Sequence, residues 1–162
     1  VQAGLGVVGR NNLVIHEQYG TYFTIGEIIT TLALPKSTPS MGTCMGCGRC
    51  AVSCPGGVLG KGEPDYTCCL SALTQKKGEL SIKEQKRIAR GGLAWGCDIC
   101  QECCPHNQAV KQTHLEEYRS KIVPAVSEEN LSELLKTRAF GYRGRKVMMR
   151  NLALIEHIEK GP

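Results

Sequence analysis

A chain of 162 residues with a net charge of +5, ten cysteines and nineteen glycines, but only 5% aromatic residues, holds too little large apolar material for one big core. It has no apolar run of the about 18 residues that a spanning helix needs and no secretory leader, and so many thiols demand a reducing compartment. No membrane span and a cytoplasmic location are therefore expected.

Val1 to Gly4 reads as the middle of an element, with no cap or turn ahead of it, so an upstream portion is expected. Leu13 to Ile15 and Tyr22 to Ile29 are β-branched or apolar runs that predict strands, with a polar turn from His16 to Gly20 between them. Ahead of them, Gly4-Leu5-Gly6-Val7-Val8-Gly9 is a literal G-x-G-x-x-G. A dinucleotide fingerprint needs a strand before it and a helix after it. Only three residues precede it, and Arg10-Asn11-Asn12-Leu13 reads as a turn into a strand. These glycines are therefore read as serving tight turns and close backbone approach. Pro35 to Met41 is a linker by composition.

The middle of the chain carries the chemistry. Cys44-x2-Cys47-x2-Cys50-x3-Cys54-Pro55 is followed by Cys97-x2-Cys100-x3-Cys104-Pro105, with an extra thiol at Cys103. The first run is the bacterial ferredoxin pattern, in which three close thiolates hold one 4Fe–4S cluster and the cysteine before proline serves the other. Three thiolates two residues apart on a turning backbone converge on three corners of a cubane. Glycines around them permit the turns and leave N–H groups for the sulfurs. Zinc sites use isolated C-x-x-C pairs, disulfide scaffolds of this cysteine content are usually under about 80 residues, and a thioredoxin-like C-x-x-C explains neither the third thiol nor the proline. Two 4Fe–4S clusters, and hence electron transfer, are the reading. Spacing alone lets Cys103 complete the second group.

Between the groups, Ser81-Ile82-Lys83-Glu84 is a capping box that opens a basic helix ending at Gly91-Gly92. Beyond them, Thr113-x-x-Glu116 is a second such box, and Ser127 with Glu128 and Glu129 opens a helix carrying Leu131, Leu134 and Leu135. Met148, Leu152, Ile155 and Ile158 predict a last helix. Two amphipathic helices suggest one helical repeat or a docking appendage. Lys136, Arg138, Arg143, Arg145, Lys146 and Arg150 fall between them with no acid among them, and Phe140 and Tyr142 are interleaved. Such a cluster suits phosphate contacts with stacked bases, and equally a solvated face.

Several segments together resemble the tRNA epoxyqueuosine reductases, in their C-terminal half. Ala3 to Asn11 is similar to that family's AGLGWIGKN segment, with Val7 where Trp is usual, and Gly20 to Ile28 to its G-S-W-x-x-L-G-E-I strand. Trp95 to Pro105 is similar to its FGCDDCQxxCP signature, and Phe140 to Leu154 to the arginine-rich start of its helical repeat. The resemblance implies an α+β architecture: the edge of an α/β cobalamin-binding domain (residues 1–36), a ferredoxin-like double 4Fe–4S module (37–112) and a short helical, HEAT-like segment (113–162).

It implies cobalamin beside the clusters, with Gly4, Gly6, Gly9, Asn11 and Ser71 on the cobalamin side, and reduction of epoxyqueuosine to queuosine in tRNA. It also implies one ligand set of Cys44, Cys47, Cys50 and Cys104 and another of Cys54, Cys69, Cys97 and Cys100, leaving Cys68 and Cys103 spare. tRNA contact would fall to Arg138, Arg143, Arg145, Lys146 and Arg150, electrons would come from an external low-potential donor, and a monomer is expected. The family's catalytic acid lies upstream of the glycine segment, so no catalytic residue is expected here and this chain alone should be inactive. Ser71-Ala72-Leu73-Thr74 departs from the usual Ser-Tyr-Leu-Thr, which leaves room for another substrate. A ferredoxin-like carrier with no substrate of its own, and a relative of the corrinoid reductive dehalogenases, are the alternatives.

Overall fold

A computed structural model describes residues 1–60 and 63–159, with side chains up to residue 156 in the last helix. Two short strands, β1 (Val7–Val8) and β2 (Val14–Ile15), precede the helices. In chain order these are α1 (Arg49–Ser53), α2 (Leu70–Gln75), α3 (Ile82–Gly91), α4 (Ile99–Glu102), α5 (Glu116–Ser120), α6 (Glu128–Thr137) and α7 (Arg145–Glu159). The chain forms two compact units, Val1–Ser53 with Ile99–His114 and Cys54–Asp98 with Leu115–Pro162.

In the first unit β1 and β2 pair antiparallel, Val7 opposite Ile15 and Val8 opposite Val14. The glycine segment makes this hairpin possible. Gly6 has φ +148°, and a Cβ there would stand 2.2 Å from the Ile15 carbonyl oxygen. The Gly9 N–H donates to the Leu13 oxygen at 2.7 Å, and Asn12 takes the left-handed conformation at φ 62°. The turn into a strand forms as the sequence suggests. The strand expected over Tyr22 to Ile29 does not. The only sheet among the described residues is the β1–β2 pair, and an extended segment becomes a strand only when another edge takes its N–H and C=O groups. Ile28 and Ile29 stand 91% and 100% exposed, so the apolar run lies uncovered.

The second unit is built on helix packing. Leu70 and Leu73 of α2, Leu80, and Ile88 of α3 form one core, with Leu93, Cys97 and Leu154 of α7 against it. Leu131 and Leu134 of α6, Phe140 and Met148 of α7 form another, with Trp95 and Leu152 beside it. The helix α7 therefore serves both cores from different faces, which the single stripe of Met148, Leu152 and Ile155 did not reveal; Ile158 lies outside the described side chains. Complete burial of Ile88 and Met148 contributes on the order of 1.5–3 kcal/mol each. A Cβ on Gly91 would stand 2.5 Å from Leu70 Cδ2, so glycine there lets α3 and α2 close on one another.

The caps explain the helix starts. The Ser81 side chain accepts from the Glu84 N–H while the Glu84 carboxylate accepts from the Ser81 N–H, and Gly92 ends α3 in the left-handed conformation at φ 63°. The Lys76 ammonium at 2.7 Å, together with the Ser81 N–H and hydroxyl, holds the Glu84 carboxyl at about 2. Ser127 caps α6 in the same reciprocal way with Asn130. Thr113, expected to open a second box, is not the cap residue of a helix. The helix α5 starts at Glu116 with Leu115 at its cap position and buries no residue, so no packed face extends it backward to Thr113. No helix among the described residues is long and apolar enough to cross a membrane.

Candidate metal centre

In the first unit, Cys44, Cys47, Cys50 and Cys104 line one pocket, together with Arg10, Asn11 and His106. The first three come from the loop entering α1 and from α1 itself, and Cys104 from just beyond α4, which packs on α1. Cys103 is outside that lining; its Sγ lies 3.7 Å from the Cys100 carbonyl oxygen. N–H groups of Gly46 and Arg10 bond the Cys44 sulfur and pull its thiol below the usual range. Gly46 is left-handed at φ 67°, the conformation that turns its N–H toward the sulfur side. Burial pushes the Cys50 thiol up, and the nearby sulfurs of Cys103, Cys44 and Cys47 add to the rise. Thiols crowded in this way are held as thiolates by cationic iron.

A single ion requires its donors round one point, at about 2.3 Å for sulfur on zinc. Among the described residues no three His, Cys, Asp or Glu side chains close in that manner. A four-iron cubane asks something different: one soft thiolate for each of several iron corners, set around a cavity. Four cysteines lining one pocket fit that group.

The loop carrying these ligands is braced by a polar network. Asn107 accepts from the Thr21 N–H at 2.8 Å and donates to the Thr21 hydroxyl at 2.9 Å and the Gln101 carbonyl at 2.7 Å. Thr21 donates in turn to the Gln101 side chain at 2.8 Å, and the Asn11 amide to the Cys100 carbonyl at 3.3 Å. Thr21 lies in the Gly20 to Ile28 segment, but neither it nor Asn107 was singled out in the sequence; only their convergence marks them. Gly20 makes room for this network. Its φ is +56°, and a Cβ would stand 1.9 Å from Asn107 Oδ1. Gly20→Ala is expected to cost on the order of 2 kcal/mol or more, with strain and clash combined, read as a lower thermal midpoint of the cluster-loaded protein.

The second unit holds four further cysteines, Cys54, Cys68, Cys69 and Cys97. A Cβ on Gly56 would stand 2.1 Å from the Cys68 carbonyl oxygen, so the Cys54-Pro55-Gly56 turn lies directly against Cys68-Cys69. Cys69 is the N-cap residue of α2, and Cys97 packs against the core that holds Leu70. Cys100 belongs to the first unit. The approach to Cys97 is held by buried groups: the Gly96 N–H donates to the Thr74 hydroxyl at 3.0 Å, and Asn151 donates to the carbonyls of Thr74 at 2.7 Å and Ala94 at 2.9 Å.

The remaining site candidates divide. Gly6 and Gly9 do the hairpin's own work, a Cβ on Gly4 would stand 2.7 Å from the Thr38 carbonyl oxygen, and the Asn11 amide is spent on Cys100. Ser71 lies in the second unit, where its hydroxyl accepts from Gln75. Of the basic cluster, Arg150 donates to the carbonyls of Lys76 and Gly78 and to Asn151, bracing the end of α2. Arg145 donates to Ser132 at 3.0 Å and pairs with the Glu128 carboxylate at 3.3 Å, and Arg138 donates to the Lys121 carbonyl. Arg143 stacks 4.7 Å from the Tyr142 ring centroid, while Lys146 is exposed.

A family model described as a 4Fe-4S double cluster binding domain matches residues 43–107. This is a double-cluster iron–sulfur protein. The epoxyqueuosine reductase of Listeria monocytogenes is 34% identical over 95% of the chain and 43% of its own length. The solved epoxyqueuosine reductase of Streptococcus thermophilus superposes with a TM-score of 0.74 at 31% identity, over 95% of this chain and 43% of that one. A crystal structure of epoxyqueuosine reductase with a tRNA-Tyr epoxyqueuosine-modified stem loop gives 0.76 at 29% identity, over 95% and 43%. The chain is thus identified with the C-terminal portion of the epoxyqueuosine reductases. It spans less than half the length of the relatives it matches.

Proposed function

We propose that this chain is the cluster-bearing part of a cobalamin- and 4Fe–4S-dependent reductase that converts epoxyqueuosine to queuosine in tRNA. The observation that carries the reading is the single pocket lined by Cys44, Cys47, Cys50 and Cys104, within a chain that matches epoxyqueuosine reductases along 95% of its length. One cluster is assigned to those four cysteines and the other to Cys54, Cys69, Cys97 and Cys100. Clusters held by these cysteines would supply single-electron transfer, and cobalamin, bound by the whole protein, would supply the reducing chemistry at the epoxide. This chain's residues brace the ligand loops, pack the α2–α3 core against Cys97, and bond the Cys44 sulfur. The uncovered run from Ile25 to Leu34 is read as a surface that the rest of an α/β cobalamin domain covers. Contact with tRNA phosphates is assigned to the 138–150 region, led by the exposed Lys146, since Arg150 is committed to the fold and Arg145 to Ser132 and Glu128.

The test is anaerobic reconstitution of the full-length protein, with iron, sulfide and cobalamin quantified, followed by assay on an epoxyqueuosine-modified stem loop. About eight irons, one cobalamin and conversion to queuosine are expected. Eight irons without cobalamin or conversion would leave an electron-transfer module and overturn the reading.

A further inference from the structure

The helix α3 carries Lys83, Lys86, Arg87 and Arg90 at steps of three and four residues, so all four lie on one face. They line an open groove with Ile82 and Pro55. Lys83, Lys86 and Arg90 are exposed, and Ile82 is 70% exposed at the same place. None of the four is in an ion pair among the described residues. The acid nearest in effect is Asp65, which feels Arg87 while its oxygens take Thr67 and Cys68. This basic face plays no part in either core, which α3 serves through Ile88.

Its position gives it a meaning. Pro55 follows Cys54, and Arg87 donates to the carbonyl of Cys68 at 3.2 Å, next to Cys69. The cationic groove is thus edged by the residues adjoining two cysteines of one proposed cluster. An apolar centre of Ile82 and Pro55 rimmed by like charges is the anatomy of a small, short-lived encounter surface.

We propose that this face of α3 is the docking surface for an acidic, single-electron carrier protein that reduces the cluster held near Cys54 and Cys69. The carrier is oxidised by one electron and the cluster reduced by one, with no bond made or broken. Charge complementarity steers the encounter and sets its rate, and the short path from Pro55 and Cys68 to the cluster lets a loose complex suffice. The proposal rests on the cluster assignment given above. A nucleic acid is the competing occupant of any basic face, but it draws no benefit from adjacency to cluster ligands.

The test uses the full-length, cluster-loaded protein and reduced flavodoxin as the probe, with anaerobic stopped-flow at the cluster absorbance. Dithionite serves as a small reductant that needs no docking. The triple variant Lys83→Glu, Lys86→Glu, Arg90→Glu is expected to slow reduction by flavodoxin at least about tenfold at low salt, with iron content and dithionite reduction unchanged. Wild-type rates should fall as salt rises, and the variant's should not. The milder Lys83→Gln, Lys86→Gln, Arg90→Gln variant should lie between them. An unchanged flavodoxin rate would overturn the proposal, and unchanged rates with lost stem-loop binding would reassign the face to nucleic acid. Wild-type protein with no dithionite-reducible iron would instead sink the cluster reading on which the proposal stands.

Discussion

Cys104→Ser is expected to lower the iron held after anaerobic reconstitution from about eight atoms per chain to about four, while Cys103→Ser keeps about eight. The two thiols are neighbours in sequence, and spacing alone lets Cys103 complete the second group after Cys97 and Cys100. The tertiary structure separates them. Cys104 lines the pocket with Cys44, Cys47 and Cys50, whereas the Cys103 sulfur faces the Cys100 carbonyl. A serine hydroxyl is a hard, weakly acidic donor and a poor substitute for thiolate on iron. Iron and sulfide assays with the cluster absorbance read the outcome. Loss of iron in the Cys103 variant and retention in the Cys104 variant would reverse the assignment.

Asn151→Ala is expected to destabilise the cluster-loaded protein by on the order of 3 kcal/mol, because the carbonyls of Thr74 and Ala94 lose their donor inside the protein. For a chain of this size that is a fall in thermal midpoint of about 6–12 °C. Asn151 is completely buried, and its oxygen also accepts from Arg150, whose other donors hold the carbonyls of Lys76 and Gly78. One asparagine therefore ties α7 to the end of α2 and to the approach to Cys97. A midpoint within a degree or two of wild type would mean that the network is replaceable by water. Arg150→Lys separates charge from geometry, since one ammonium cannot serve both carbonyls and Asn151 with the same fork.

Local chemistry explains what could be read early. The cysteine runs are legible because cluster ligation imposes spacings of two and three residues that no folding context alters. The caps at Ser81 and Ser127 are equally local, since each needs only a side chain and an N–H three residues on. The glycine segment was read for tight turns and close backbone approach, while its own strand β1, the partner of β2, was not marked in the sequence. Reading failed where a partner was required. Tyr22 to Ile29 has strand composition but no edge to pair with, and Thr113 has the box pattern but no packed helix behind it to cap.

The basic segment from Lys136 to Arg150 teaches the same lesson in the other direction. As a run of charge it looks uniform, yet in three dimensions Arg150 is a brace, Arg145 and Arg138 are tied to their own chain, and Lys146 remains exposed. The cations of α3, which the sequence shows as nothing more than a basic helix, form one open face.

By itself the sequence determined that this protein holds thiolate-ligated iron–sulfur chemistry, where its main helices begin, and which family's segments it repeats. These depend on neighbours within a few residues. Only the tertiary structure decided which thiols share a pocket, which asparagines lock the ligand loops, and which cations are free to meet another molecule. Each of those depends on groups up to 89 residues apart, as Asn11 and Cys100 are, and no local spacing encodes such a meeting.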